Sequence, residues 1–161
     1  MNLKEKIEQD LKEAQKKNEA LSVSTLRLLS AALHNREIEK RTKLARQGEK
    51  DLEEKSNLVN EEIISVIQSE VKKRKESIEA FEKGGRKELA AKETAELKIL
   101  MAYLPEQLSE DEIKKIAQEV IKTTGAISKA EMGRIMKEVM QRVKGQADGQ
   151  MVSRVVQELL R

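Results

Sequence analysis

The chain has 161 residues, 32 Lys/Arg against 29 Asp/Glu for a net charge of +3, one proline, no cysteine, one tyrosine and one phenylalanine. That length allows one or two domains with a real core, which must be aliphatic and methionine-based because aromatics are almost absent. The missing cysteines exclude a disulfide framework and any Cys-ligated zinc or iron–sulfur site. No apolar run approaches the roughly 20 residues of a membrane span, and the opening MNLKEKIEQDLKEAQ lacks the apolar core of a signal peptide. The expectation is a cytoplasmic protein that does not enter the membrane.

Abundant Glu, Lys, Leu and Ala with a single proline predict an all-α protein. Leu3, Ile7, Leu11 and Ala14 give a first helix one apolar face. Val23, Leu26, Leu29 and Leu33 drive a second, which can run on through Ile38 and Leu44. The polar stretch 47–58, with Gly48, is the expected connection. Asn60 is then the expected N-cap of a long helix, with Glu61 and Glu62 in its first turn. Ile63, Ile64, Ile67, Val71, Ile78 and Phe81 stripe that helix until Gly84-Gly85 ends it. Leu89, Leu97, Leu100, Met101 and Leu104 stripe a fourth, which must stop at Pro105 because proline lacks an N–H and disfavours a helical residue before it.

Three shorter helices follow. Ser109 and Glu112 form a capping box, with Leu108 and Ile113 as its hydrophobic staple; Ser128 and Glu131 repeat the device, with Ile127 and Met132 as the staple. Lys144-Gly145 suits a helix C-terminus, and Asp148 is a good N-cap for the last helix. The apolar sets Ile113/Ile116/Ala117/Val120/Ile121, Met132/Ile135/Met136/Val139/Met140/Val143 and Val152/Val155/Val156/Leu159/Leu160 each follow one helical face. Three short helices with one stripe each can bury them only against one another. The expected architecture is therefore two helical bundles meeting near Pro105, a four-helix domain over 1–104 and a three-helix domain over 105–161.

Chemistry-bearing constellations are scarce. His34 is the only histidine and has no Cys or second His with which to ligate a metal, so a structural role is expected. No Gly-x-Ser-x-Gly, Ser/His/Asp set or phosphate-cradling glycine run is present, and the carboxylates have helical Lys/Arg neighbours. No catalytic residue, metal site or cofactor is expected. Charge is more informative: residues 122–161 hold 8 Lys/Arg against 4 Asp/Glu, so the basic excess collects on the last two helices. At about 100° per residue, Arg134, Lys137 and Lys144 fall within one arc opposite the Met132/Val139/Val143 stripe, with Arg142 to the side. Lys72-Lys73-Arg74-Lys75, by contrast, fans around its helix and reads as a solvated surface rather than one patch.

Leu26-Arg27-Leu28-Leu29 with Ala31 and Asn35-x-x-Ile38, Val71-Lys72-Lys73-Arg74 with Ser77 and Phe81, Glu96-Leu97, Tyr103-Leu104-Pro105-Glu106-Gln107-Leu108-Ser109, Met132-Gly133, Met136-Lys137 and Lys144-Gly145-x-Ala147-Asp148-Gly149 together resemble the YqeY family. The C-terminal part of that family is related to the tail of the GatB subunit of tRNA-dependent amidotransferases. In the last helix Gln150, Met151, Ser153 and Arg154 stand where more Lys, Leu and Asn are expected. The resemblance implies the same two-bundle fold. It also implies a non-catalytic accessory that binds tRNA or another structured RNA, with Arg134, Lys137, Lys144, Arg142 and Arg154 as candidate contacts. Two alternatives go with it: a protein partner of an amidotransferase or synthetase, and a carbon–nitrogen ligase using glutamine as amide donor.

Overall fold

The computed structural model describes residues 2–126 and 128–160, and the described residues are helical without strands. The helices are α1 (Leu3–Lys16), α2 (Ala20–Arg46), the single turn α3 (Leu52–Lys55), α4 (Asn60–Lys83), α5 (Lys87–Met101), α6 (Glu110–Thr124), α7 (Met132–Val143) and α8 (Gly149–Leu159). They fall into two groups, α1–α5 and α6–α8, and the chain divides into the units Met1–Tyr103 and Leu104–Arg161.

In the first group the centre of each expected stripe is buried: Ile7 and Ala14 of α1, Leu26, Leu29 and Leu33 of α2, Ile63, Ile67 and Val71 of α4 and Leu100 of α5. They are joined by Ala90, which the sequence did not single out, while Ile38 of the second set is exposed. Gly84-Gly85 ends α4 as expected. The Arg86 amide donates to the Phe81 carbonyl and the Gly85 amide to Glu82, a Schellman closure that sets Gly85 at φ +70°. Asn2, not singled out from the sequence, caps α1 and forms a reciprocal box with Glu5 at 2.9 Å each way. The Tyr103 hydroxyl donates to Asp10 at 2.6 Å, tying the end of α5 to α1. Burial, and then that hydrogen bond, push the phenol well above its usual range.

Three expectations are corrected here. Asn60 is the first residue of α4, not its cap. Val59 holds the cap position, Glu62 accepts the Val59 amide, and the Asn60 side chain accepts the Leu3 amide at 3.2 Å instead. α5 stops at Met101, before the turn that leads to Pro105, and Leu89 of its stripe is 40 % exposed. Arg74 is not on the surface. It lies three residues after Val71 on the buried face of α4, where its guanidinium meets Glu70 at 3.2 Å and Glu96 of α5 at 3.3 Å.

In the second group Ile113, Ala117 and Val120 of α6, Ile135, Val139 and Val143 of α7, and Val152, Val155 and Val156 of α8 form one cluster. Ser109 and Glu112 make the expected box, and Leu108 packs against the cluster as its staple. The Glu112 carboxylate accepts both the Ser109 amide and hydroxyl at 2.8 Å. Those bonds, the backbone one first, hold it below the usual carboxylate range. A depressed folded pKa gives stabilisation that is present at neutral pH and lost as pH falls through that folded value. Glu112→Ala should therefore lower the melting temperature at pH 7, and by less at an acid pH below the folded value. Thermal melts at both pH values check this; an unchanged gap would show that the box does not contribute through its charge. Before α7 the segment Lys129–Glu131 is a 3₁₀ turn in which the Glu131 amide donates to the Ser128 carbonyl, so α7 begins three residues later than its expected cap implies. Ile127 of the expected second staple lies outside the described residues.

Candidate nucleic-acid interface

The two most distinctive motifs of the sequence are one substructure. α7 ends with Lys144 at φ 34° and Gly145 at φ 83°, two successive left-handed residues that reverse the chain in little space. The reversal turns two carbonyls toward the segment entering α6. The Gln107 side-chain Nε2 donates to the Gly145 carbonyl at 3.0 Å and to the Pro105 carbonyl at 2.8 Å, while the Leu108 backbone N–H donates to the Gln146 carbonyl at 2.7 Å. Ala147 is buried, and Asp148 caps α8 by accepting the Gln150 amide at 2.8 Å, as expected. Pro105, Gln107, Gly145, Ala147 and Asp148 thus have structural work: they lock the α7–α8 turn onto the start of α6. Gly145→Ala should cost about 1 kcal/mol through the left-handed conformation alone. Urea unfolding measures it, and a change indistinguishable from zero would mean that the turn relaxes without loss.

That lock presents the cations. α7 buries Ile135, Val139 and Val143, so Arg134 and Lys137 stand on its solvent face; both are exposed, and neither makes an ion pair among the described residues. Lys144 is exposed as well and has no ion pair there. Its left-handed backbone takes it off the helical wheel, so the arc drawn through it from the sequence holds only for Arg134 and Lys137. Arg142 and Arg154 differ from these three. Arg142 is 3.4 Å from Glu119 and Arg154 is 2.8 Å from Glu110, both acids on α6. Five candidate cations divide into three uncommitted and two held by carboxylates. Sequence spacing could not give this, because both partners come from another helix.

Elsewhere, His34 is exposed and borders a recess of about 180 Å³ between α1 and α2, where Lys4 already pairs with Glu37 at 2.6 Å. Among the described residues no group of three or more His, Cys, Asp or Glu side chains could hold a metal ion, and no helix is long and apolar enough to cross a membrane.

These features define a class: an all-α protein of two helical groups whose C-terminal turn and caps are built from its signature residues. Residues 4–160 match the family described as Yqey-like protein, and the chain belongs to that family. It is also similar to altered inheritance of mitochondria protein 41, mitochondrial, of Pyrenophora tritici-repentis (strain Pt-1C-BFP), with 28 % identity over 158 residues that cover 96 % of this chain and 79 % of the relative.

Proposed function

We propose that this Yqey-like protein is a non-catalytic accessory that binds tRNA or another structured RNA. It is built as a four-helix bundle domain over 1–104 and a three-helix bundle domain over 105–161, the latter carrying the docking face. The observation that carries this reading is the exposed, ion-pair-free set Arg134, Lys137 and Lys144 beside a turn fixed by Gln107. Cations without internal partners are available to phosphates without first breaking a salt bridge. Kinship with a tRNA-gripping tail supports the choice of ligand.

The test is binding of the purified chain to tRNA at several salt concentrations. Affinity near physiological salt that falls steeply as salt rises supports the reading. No binding there sinks it and leaves a protein partner, such as an amidotransferase or synthetase, as the use of the same face. A glutaminase assay of the same preparation examines the ligase alternative, in which release of ammonia from glutamine would overturn the non-catalytic assignment.

A further inference from the structure

The 27 residues of α2 carry one apolar face that the fold buries and, opposite it, an uncharged row centred on Leu28 and Ile38 that it leaves open. Leu26, Leu29 and Leu33 are buried against the rest of their group. On the opposite side Ser24, Leu28, Ala31, Asn35, Ile38, Thr42 and Ala45 recur at alternating steps of four and three residues, and all are exposed. Leu28 is 56 % and Ile38 48 % exposed, among the largest apolar surfaces that the described residues leave uncovered. At 1.5 Å per residue the row runs about 32 Å, and it holds no charged side chain. Ordinary solvated helix surfaces put charges there; an uncharged row at this spacing, with Leu28 and Ile38 exposed on it, has the geometry on which a second helix packs. A cleft of about 440 Å³ lies beside the row between α2 and α4. Ala32 and Asn35 of α2 and Ser65, Val66 and Ser69 of α4 line it between the charged side chains of Arg36, Glu39, Glu70 and Lys73.

Charge decides what the seam fits. Along one border of the row stand Arg27, His34 and Arg41, along the other Glu39 and Arg46. Arg27 and Arg46 make no ion pair among the described residues, and the Arg41 guanidinium only approaches Glu53 at 4.0 Å. A second copy of the chain would bring arginine borders together: Arg41 beside Arg46 in a parallel pair, Arg27 beside Arg41 in an antiparallel one. An RNA would place phosphates on Leu28 and Ile38. An amphipathic helix with an apolar stripe and acidic borders satisfies both the seam and its edges. We propose that the outer face of α2 is a docking site for an acidic amphipathic helix of a partner protein. This surface is built from residues of α2 and α4, and the proposal does not depend on the cations of α7.

The probe is a synthetic peptide of about three heptads, Ile and Leu at its a and d positions and Glu at e and g, with a Lys-bordered peptide as control. Fluorescence anisotropy with the full chain should show binding of the acidic peptide, weaker at higher salt, and little of the basic one. Leu28→Asp with Ile38→Asp should weaken it about tenfold or more, with the melting temperature kept because both side chains are already exposed. Arg27→Glu with Arg41→Glu should weaken the acidic peptide and favour the basic one. Equal binding of both peptides, or indifference to the Asp pair, would overturn the proposal. So would a wild-type dimer in sedimentation that the Asp pair abolishes, or loss of tRNA affinity in the Asp pair, since these would assign the face to a second copy or to RNA.

Discussion

Arg74→Ala is expected to cost about 3–5 kcal/mol of stability, because it leaves the buried Glu96 carboxylate without its cation, whereas Glu70, half-buried, keeps Lys73 at 2.8 Å. Arg74 is 7 % and Glu96 6 % exposed, and the guanidinium spans from Glu70 on its own helix to Glu96 on α5. Its Nε is buried without a hydrogen-bond partner, so the cluster is not fully satisfied even when intact. That incompleteness separates the value of the pair from the cost of breaking it. Removing both charges, as Arg74→Met with Glu96→Leu, should come out near wild type, since apolar groups of similar volume avoid the desolvation penalty. Urea unfolding of the single and double variants reads the difference directly. A single variant within about 1 kcal/mol of wild type would show that water reaches Glu96 once the guanidinium is gone.

Replacing Arg134, Lys137 and Lys144 together by Gln should weaken tRNA binding and flatten its salt dependence by up to about three units, one for each phosphate that no longer meets a cation. Thermal stability should move little, because the three side chains are exposed and none is held in an ion pair among the described residues. The comparison set is Lys72, Lys73 and Lys75 replaced by Gln, three exposed cations that α4 spreads around its circumference, of which Lys73 pairs with Glu70 at 2.8 Å. Arg74 is left in place there because it is structural. A smaller loss in the comparison set is expected; equal losses from the two sets would mean diffuse attraction with no docking face.

Most of the helical architecture is legible in the sequence because the deciding signals are local. Ser109 and Asp148 announce their helices through side-chain caps, Gly84-Gly85 and Lys144-Gly145 announce endings, and the apolar stripes of α6, α7 and α8 follow one period each. Sequence and structure part where a distant partner decides. Asn60 looks like a cap in isolation, but the Leu3 amide claims its side chain and Val59 takes the cap position through Glu62. The run 72–75 looks uniformly solvated until Glu96 of another helix gives Arg74 a reason to point inward. For the candidate site, spacing places Arg134 and Lys137 on the outer face of α7. It cannot foresee that Lys144 turns left-handed or that α6 holds Arg142 and Arg154. The second face of α2 is present in the spacing too, but the core-forming leucines account for that helix by themselves and hide it.

Lysine reactivity with and without tRNA tests the docking face most directly. The full chain would be labelled briefly with an amine-reactive reagent at low salt, and each lysine's modification read by mass spectrometry. Binding through the C-terminal face predicts strong protection of Lys137 and Lys144 by tRNA, while Lys72, Lys73 and Lys75 keep their rates. Protection of the α4 lysines with Lys137 and Lys144 still fully reactive would contradict it.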